Sequence, residues 1–342
     1  MRAFVLTGPG RSAVLEVEAP LAGPGQVVVD IARVGVCGTD AEMFSGEMEY
    51  LHNGLATYPV RLGHEWCGTV SAVGVGVDPG WLGRRTTGDT QLGCGHCHRC
   101  LSGRQHVCED RHEIGLRRGF DGALAEQMAV PVTALLPLPD SVDDTAGAMV
   151  EPGGNALRAV RAAQLGAGER LLVIGPGTIG LLAAQFALAQ GCEVHVLGVT
   201  SSSLSFAAGL RVTGAWTSAD LPDLRWDAVV DASNHPSSPA LAASLVDAGR
   251  RIVYIGLSET PSLLDTRALA MKDVTAVGVL SASPGLAGAI EAYAAGAVDP
   301  RRLVAATVTL ADVDDVLRGT RPEHAGPGPK IHVDPRQGDD HG

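Results

Sequence analysis

The sequence predicts an α/β chain: a β-rich region over 1–150, followed by a doubly wound parallel sheet. Two textures and one turn carry this reading. Up to about residue 150, short strand-like stretches such as Gln26–Arg33, Gly68–Val77 and Ala125–Val132 alternate with Gly and Pro, the pattern of a partly open barrel or sandwich. From Glu151 on, apolar runs of strand length (Arg170–Ile174, Cys192–Leu197, Trp226–Asp231, Arg250–Gly256, Thr275–Leu280) alternate with helical stretches, which argues for buried parallel strands. The turn is Gly175-Pro176-Gly177-Thr178-Ile179-Gly180, set between one of those strands and the helix-compatible run Leu181–Gln190.

With 342 residues, two domains are expected. The boundaries read as 1–150, 151–285 and a return segment 286–342 that completes the first domain. That segment holds a helix, a strand (Leu303–Leu310), a second helix and a last strand (Lys330–Val333). The polar tail Arg336–Gly342 is expected to lack structure. The 45% hydrophobic content supports a full core, and a net charge of −12 excludes a nucleic-acid partner. There is no signal-peptide pattern and no apolar run of the ~20 residues that span a bilayer, so a cytoplasmic location without membrane attachment is expected.

Seven cysteines in a reducing compartment read as metal ligands more than as disulfides. Cys94, Cys97, Cys100 and Cys108 lie at C-x2-C-x2-C-x7-C spacing in a loop with Gly93, Gly95 and Gly103. Thiolates so spaced curl around one tetrahedral ion, and four sulfurs leave no open position, so a structural zinc is expected. The rival is an iron–sulfur cluster. A second set, Cys37, His64, Glu65 and Glu151, supplies a thiolate, an imidazole and carboxylates, the donors of a catalytic zinc that keeps a place for substrate. Cys67 and Cys192 sit in apolar stretches and read as core.

The glycines of the 175–180 turn permit a tight turn and close approach of a pyrophosphate to a helix N-terminus. Gly175, Gly177, Thr178, Ile179 and Gly180 are the candidate contacts. About 20 residues on, where an acidic residue would hold a ribose, the chain has Gly198, followed by Thr200, Ser201, Ser202 and Ser203. The missing carboxylate favours NADP(H) over NAD(H), although Arg211 is the first arginine in reach.

The order Cys37-Gly38-Thr39-Asp40, Gly63-His64-Glu65, the four-cysteine loop, Glu151-Pro152 and the glycine turn resembles the zinc-containing medium-chain dehydrogenase/reductase family across essentially the whole chain. It is most similar in style to the polyol, threonine and glucose dehydrogenases, because Glu151-Pro152 stands where simple alcohol dehydrogenases carry a cysteine. The resemblance implies a GroES-like catalytic domain from both chain ends around a Rossmann domain. It also implies a zinc-dependent, NAD(P)-dependent oxidoreductase with one catalytic and one structural zinc, and a homo-oligomer, dimer or tetramer.

By the same resemblance, Cys37 and His64 would bind the catalytic zinc. Glu65 and Glu151 would be direct, alternating or water-bridged ligands. Thr39 would relay the substrate proton, and Asp40 would orient the site. Two departures stand out. Glu42 occupies a place where many relatives have His, and Glu151-Pro-Gly-Gly-Asn155-Ala-Leu-Arg158 replaces the relatives' Glu-Pro-Leu-x-x-x-x-His. Glu42 and Asn155, with Glu47, Tyr50 and His52, would suit a hydroxyl-rich substrate: a polyol, sugar, cyclitol or aminocyclitol. The competing readings are a dehydrogenase of simple alcohols and a catalytically silent zinc-stabilised scaffold.

Overall fold

The structure is a computed structural model that describes residues 1–338. It divides into two units, Met1–Glu151 with the stretch from Pro300 onward, and Pro152–Asp299. The return to the first unit thus falls at Pro300, later than the expected 286, because helix Leu286–Ala294 packs within the second unit.

In the first unit, β1 (Arg2–Gly8) and β2 (Arg11–Glu16) form a hairpin. The main sheet is built around β3 (Gln26–Gly35), whose run of β-branched residues is buried on the inward face. It pairs antiparallel with β4 (Glu65–Val73). β5 (Arg85–Gly88) extends the sheet. A short ribbon of β6 (Gln91–Leu92) and β7 (His112–Glu113) flanks the four-cysteine loop. β8 (Gln127–Pro131) pairs with the other edge of β3, and β9 (Leu135–Pro137) pairs with β5. The core contains Phe4, Leu6, Val29, Ile31, Val34, Met43, Leu62, Trp66, Leu124 and Met128.

β4 starts at Glu65, three residues before the expected Gly68, and stops at Val73. At Gly74, just past its end, a side chain would collide with the Gly23 carbonyl. Gly68 lies against the Asp30 carbonyl in the same way, where the register with β3 shifts.

The second unit is a sheet of parallel strands: β10 (Arg170–Ile174), β11 (Glu193–Leu197), β12 (Gly214–Trp216), β13 (Trp226–Asp231), β14 (Val246–Tyr254) and β15 (Thr275–Gly278). Their order is β12-β11-β10-β13-β14-β15, the doubly wound arrangement whose direction reverses between β10 and β13. β12 escaped the sequence reading because three residues beginning at a glycine carry no strand period. It completes one edge of the sheet and buries a polar chain. Trp216 Nε1 donates to His195 Nδ1 at 3.0 Å, and His195 Nε2 lies 2.9 Å from Glu193 Oε1. The indole donor leaves the imidazole proton on Nε2, so every polar atom of this buried histidine is used. Cys192 is a core residue, as expected.

The chain returns through β16 (Val304–Val308) and β17 (Lys330–Val333), which pairs antiparallel with β3. Arg336 and Gln337 are not loose as expected: the Arg2 guanidinium donates to the Pro335 and Gln337 carbonyls, and the Arg336 amide donates to Asp334. Residues 339–342 of the expected unstructured tail lie outside the described residues.

Trp226 is 1% exposed and meets the His195 ring edge-on at 5.1 Å. Trp226→Ala should therefore destabilise the second unit by about 3–5 kcal/mol, the cost of a large buried cavity. A urea titration followed by far-UV circular dichroism would read this as a lowered midpoint; an unchanged midpoint would contradict the packing.

Candidate active site

The end of β3 delivers Cys37 to the start of α1 (Gly38–Ser45), where it is the N-cap residue with extended backbone, φ −111° and ψ 160°. Asp40 reaches back, and its Oδ2 accepts the Cys37 amide proton at 2.9 Å. This satisfies one orphan donor of the helix and fixes the thiol's direction. Asp40 is fully buried, and its other oxygen faces His64 Nδ1 at 3.4 Å. A carboxylate on that side favours the proton on Nδ1 and leaves Nε2 as the ligating nitrogen. Burial alone would lower the His64 pKa; Asp40 outweighs it and raises the metal-free imidazole well above its ordinary value.

His64 enters β4 through Gly63 at φ +103°, where a side chain would strike the Leu124 and Ala123 backbone. Its carbonyl accepts a hydrogen bond from the Thr90 hydroxyl at 3.0 Å.

Cys37, His64 and Glu65 bring one ligand atom each within 4.8 Å of one another. Sulfur, nitrogen and oxygen at that spacing fit a zinc ion with a place left open. Glu151 is buried in the first turn of α2 (Val150–Ala163) and is not a member of that cluster. Thr39 is half-buried, with its hydroxyl 3.9 Å from Cys37 Sγ. Lys330, at the start of β17, was missed by the sequence reading. Its ammonium donates to both Glu65 oxygens, at 2.9 and 2.7 Å, and to the Val36 carbonyl at 2.9 Å. The available signal was a lysine opening an otherwise buried strand, a residue type that is rarely buried unpaired.

The other expected substrate contacts are dispersed. Glu47 and His52 are exposed. The Tyr50 hydroxyl donates to Glu113 at 2.9 Å, beneath the Arg117 guanidinium 5.6 Å from its ring. Burial, then Glu113, pushes that phenol up to about 12. Tyr50 thus belongs to a structural cluster, while Glu42 and Asn155 are half-buried.

Cys94, Cys97, Cys100 and Cys108 also converge within 4.8 Å and form no disulfide. The Cys97 and Cys100 amides donate to Cys94 Sγ and Cys97 Sγ at 3.4 and 3.5 Å. The backbone amides of His96 and Cys97 pull the Cys94 thiol down to about 6. Four thiols held this way fit a closed tetrahedral metal site. Cys67 is core: its thiol donates to the Asp144 carbonyl, and burial raises its pKa.

In the second unit each glycine of the 175–180 turn has its own reason. Gly175, at φ +96°, abuts the Ala232 and Ser233 backbone at the end of β13. Gly177, the N-cap of α3 (Thr178–Ala189), has open space where a side chain would stand, so a ligand can approach its backbone. Gly180 lies against the Gly175 carbonyl, which packs helix on strand. Gly198 has a structural cause too, since a Cβ there would come within 2.8 Å of Pro176 and 3.0 Å of Leu204. Thr200 caps α4 (Ser201–Gly209) through the Ser203 amide at 3.3 Å; Ser201 is exposed. The Gly153-Gly154 pair is likewise explained. Gly153 leaves space for the Tyr293 hydroxyl, Gly154 lies against Ala282, and Arg158 donates to the Leu280 and Ser281 carbonyls.

Comparison with known proteins agrees with this geometry. Residues 23–140 match the alcohol dehydrogenase GroES-like domain. The chain is 30% identical over 292 residues to L-threonine 3-dehydrogenase of Deinococcus radiodurans, covering 82% of each chain. It is 30% identical to L-galactonate-5-dehydrogenase of Escherichia coli, covering 78% of this chain and 79% of that one. Among solved structures, it resembles a short chain alcohol dehydrogenase (rspB) from E. coli CFT073 complexed with NADH, with TM-score 0.89, 25% identity and coverage of 98% and 99%. A zinc-binding dehydrogenase from Sinorhizobium meliloti bound to NADP superposes with TM-score 0.88 and 26% identity, covering 98% of this chain and 99% of that one. With the thiol–imidazole–carboxylate cluster, the four-cysteine lobe and the glycine turn on a doubly wound sheet, the chain belongs to the zinc-containing medium-chain dehydrogenase/reductase family and is a zinc-type oxidoreductase that uses a nicotinamide coenzyme.

Proposed function

We propose that the protein interconverts a hydroxyl and a carbonyl on a polyol, sugar, cyclitol or aminocyclitol, with two zinc ions per chain. The convergence of Cys37, His64 and Glu65 carries the reading, since a thiolate, an imidazole and a carboxylate around one point form an open zinc site. Bound zinc supplies Lewis acidity to the substrate oxygen, and the nicotinamide supplies or accepts the hydride. Cys37 and His64 are the fixed ligands, with Glu65 and Glu151 as the acidic ones. Asp40 holds both fixed ligands in place, through the Cys37 amide and the His64 ring. Thr39, on the first turn of α1, passes the hydroxyl proton outward. Glu42 and Asn155 contact substrate hydroxyls. A relative that acts on L-galactonate supports the polyhydroxylated class.

Gly175, Gly177, Thr178, Ile179 and Gly180 cradle the pyrophosphate at the α3 N-terminus. NADP(H) is the preferred coenzyme, because Gly198 places no carboxylate against a 2′-phosphate and Thr200 and Ser201 stand beside it. We also propose a cytoplasmic homo-oligomer.

Three outcomes check these assignments. Cys37→Ala should abolish turnover with a wild-type circular dichroism spectrum; retained turnover refutes the site. Steady-state kinetics with both coenzymes, across a panel of polyols, sugars and cyclitols, should give the higher kcat/KM with NADPH or NADP⁺, and a clear preference for NAD(H) reverses that assignment. Cys97→Ala should reduce bound zinc from two ions to one by elemental analysis and lower the melting temperature, because a structural metal contributes to folding. An unchanged melting temperature argues against a structural ion in the four-cysteine loop.

A further inference from the structure

Arg158 stands where the related Glu-Pro-Leu-x-x-x-x-His pattern has its histidine, and it reaches from α2 to the segment that follows β15. Its Nη1 donates to two successive carbonyls there, Leu280 and Ser281. Hydrogen bonds from a cation are the stronger kind. The same segment is tied at both ends. The Val279 amide donates to the Tyr254 carbonyl of β14 at 2.9 Å, and the Ser283 amide donates to the Ser281 hydroxyl at 3.3 Å. A side chain on Gly154 would meet Ala282, and one on Gly285 would collide with the Gly154 carbonyl. Between these anchors Ser281 has φ +71°, a left-handed backbone that residues other than glycine seldom adopt. Such a conformation persists where the surroundings over-determine it.

The two peptide groups held by Arg158 carry their N–H on Ser281 and Ala282. A trans peptide is flat, with its C=O and N–H opposed. Both amides are therefore turned away from the guanidinium, and neither has an acceptor among the described residues.

The place of this segment in the sheet says what could supply one. The order is β12-β11-β10-β13-β14-β15, with the switch between β10 and β13. A dinucleotide lies outside the carboxyl ends of such strands, with its pyrophosphate on the turn after the first strand and its adenosine ribose beside the end of the second. Here these are β10 and β11. The nicotinamide half must then cross the switch and lie over the ends of β13, β14 and β15. Leu280 and Ser281 follow the end of β15 directly, and Leu257 follows the end of β14. Leu257 is 69% exposed and Leu280 44%. Apolar side chains in solvent next to unpaired amides suit a flat ring that bears a carboxamide oxygen.

We propose that Arg158 is a positioning residue for the nicotinamide half of the coenzyme: by holding the Leu280 and Ser281 carbonyls, it aims the Ser281 and Ala282 amides outward. The proposal rests on the reading of the 175–180 turn as the pyrophosphate site. Without the guanidinium, Ser281 relaxes from its left-handed backbone, and coenzyme affinity falls with the fraction of molecules that keep the competent conformation.

Calorimetric titration with NADH against ADP-ribose, and with NADPH against 2′-phospho-ADP-ribose, separates the two halves, since each fragment lacks only the nicotinamide. Arg158→Met should weaken coenzyme binding by roughly 10-fold, a competent fraction of about one in ten, with fragment binding unchanged. Equal losses for coenzyme and fragment, or no loss for either, overturn the proposal. If Arg158→Met does not fold, Arg158→Gln takes its place under the same criteria. In the wild type, coenzyme should slow amide hydrogen exchange in the peptide 279–286 and the fragment should not; the same exchange with both overturns it. Gly177→Val fills the open space at the turn and should weaken coenzyme and fragment alike. Fragment binding that survives Gly177→Val overturns the reading of the turn, and the proposal with it.

Discussion

The first unit depends on one buried carboxylate. Asp40 makes no contact with solvent, yet it receives the amide of Cys37 and faces the ring of His64. These two contacts couple a helix start to a strand start that lie far apart in sequence. Without Asp40 the thiol would rotate with a frayed helix end, and the imidazole would lose the charge that selects its tautomer. A free aspartate in this position would cost several kcal/mol in desolvation. One oxygen takes the Cys37 amide proton, the other has only the His64 ring at 3.4 Å, and a bound cation at Cys37 and His64 would add to that compensation.

The same logic explains where the sheet gives up side chains. Gly35, Gly63 and Gly68 are each missing a Cβ for a local reason: the Glu65 carboxylate, the Ala123–Leu124 backbone and the Asp30 carbonyl. Each marks a place where backbone or a neighbouring side chain approaches more closely than a Cβ would allow. In the 175–180 turn, Gly175 yields to the Ala232–Ser233 backbone and Gly180 to the Gly175 carbonyl, while Gly177 has open space where a side chain would stand. The crowded glycines build the turn, and the open one leaves backbone accessible to a ligand.

Much of this was legible from residue types and spacing. The cysteine quartet needs only its spacing, because ligands within one loop have little freedom to miss one another. The glycine turn was readable because a strand precedes it and a helix follows. Strand ends were less so: β4 begins at Glu65 because cross-strand hydrogen bonds to Gly35 extend it, and that pairing is invisible to a local pattern. Tyr50 reads from its residue type as part of a polar pocket for a hydroxyl-rich substrate, but Glu113 and Arg111, about sixty residues on, claim its hydroxyl. Lys330 lies still further away, and no spacing rule links residue 330 to residue 65. Only the order of strands in the folded sheet does so.

The Tyr50 cluster also shows how the four-cysteine lobe acts beyond itself. Arg111 donates to Glu113 and Gln91, and a further contact runs from its guanidinium to the Cys108 carbonyl. Arg117 and Arg118 both reach the Glu109 carbonyl, next to that ligand. Gly115, between Arg111 and Arg117, is pressed against the Gly63 backbone that introduces His64. A continuous run of contacts therefore joins Cys108 in the lobe to His64 in the candidate active site. An ion in the lobe would do no chemistry, since four thiolates fill it. By holding Cys108 it would hold the loop from Glu109 to Arg118, and that loop bears on the one glycine whose backbone sets the entry of His64.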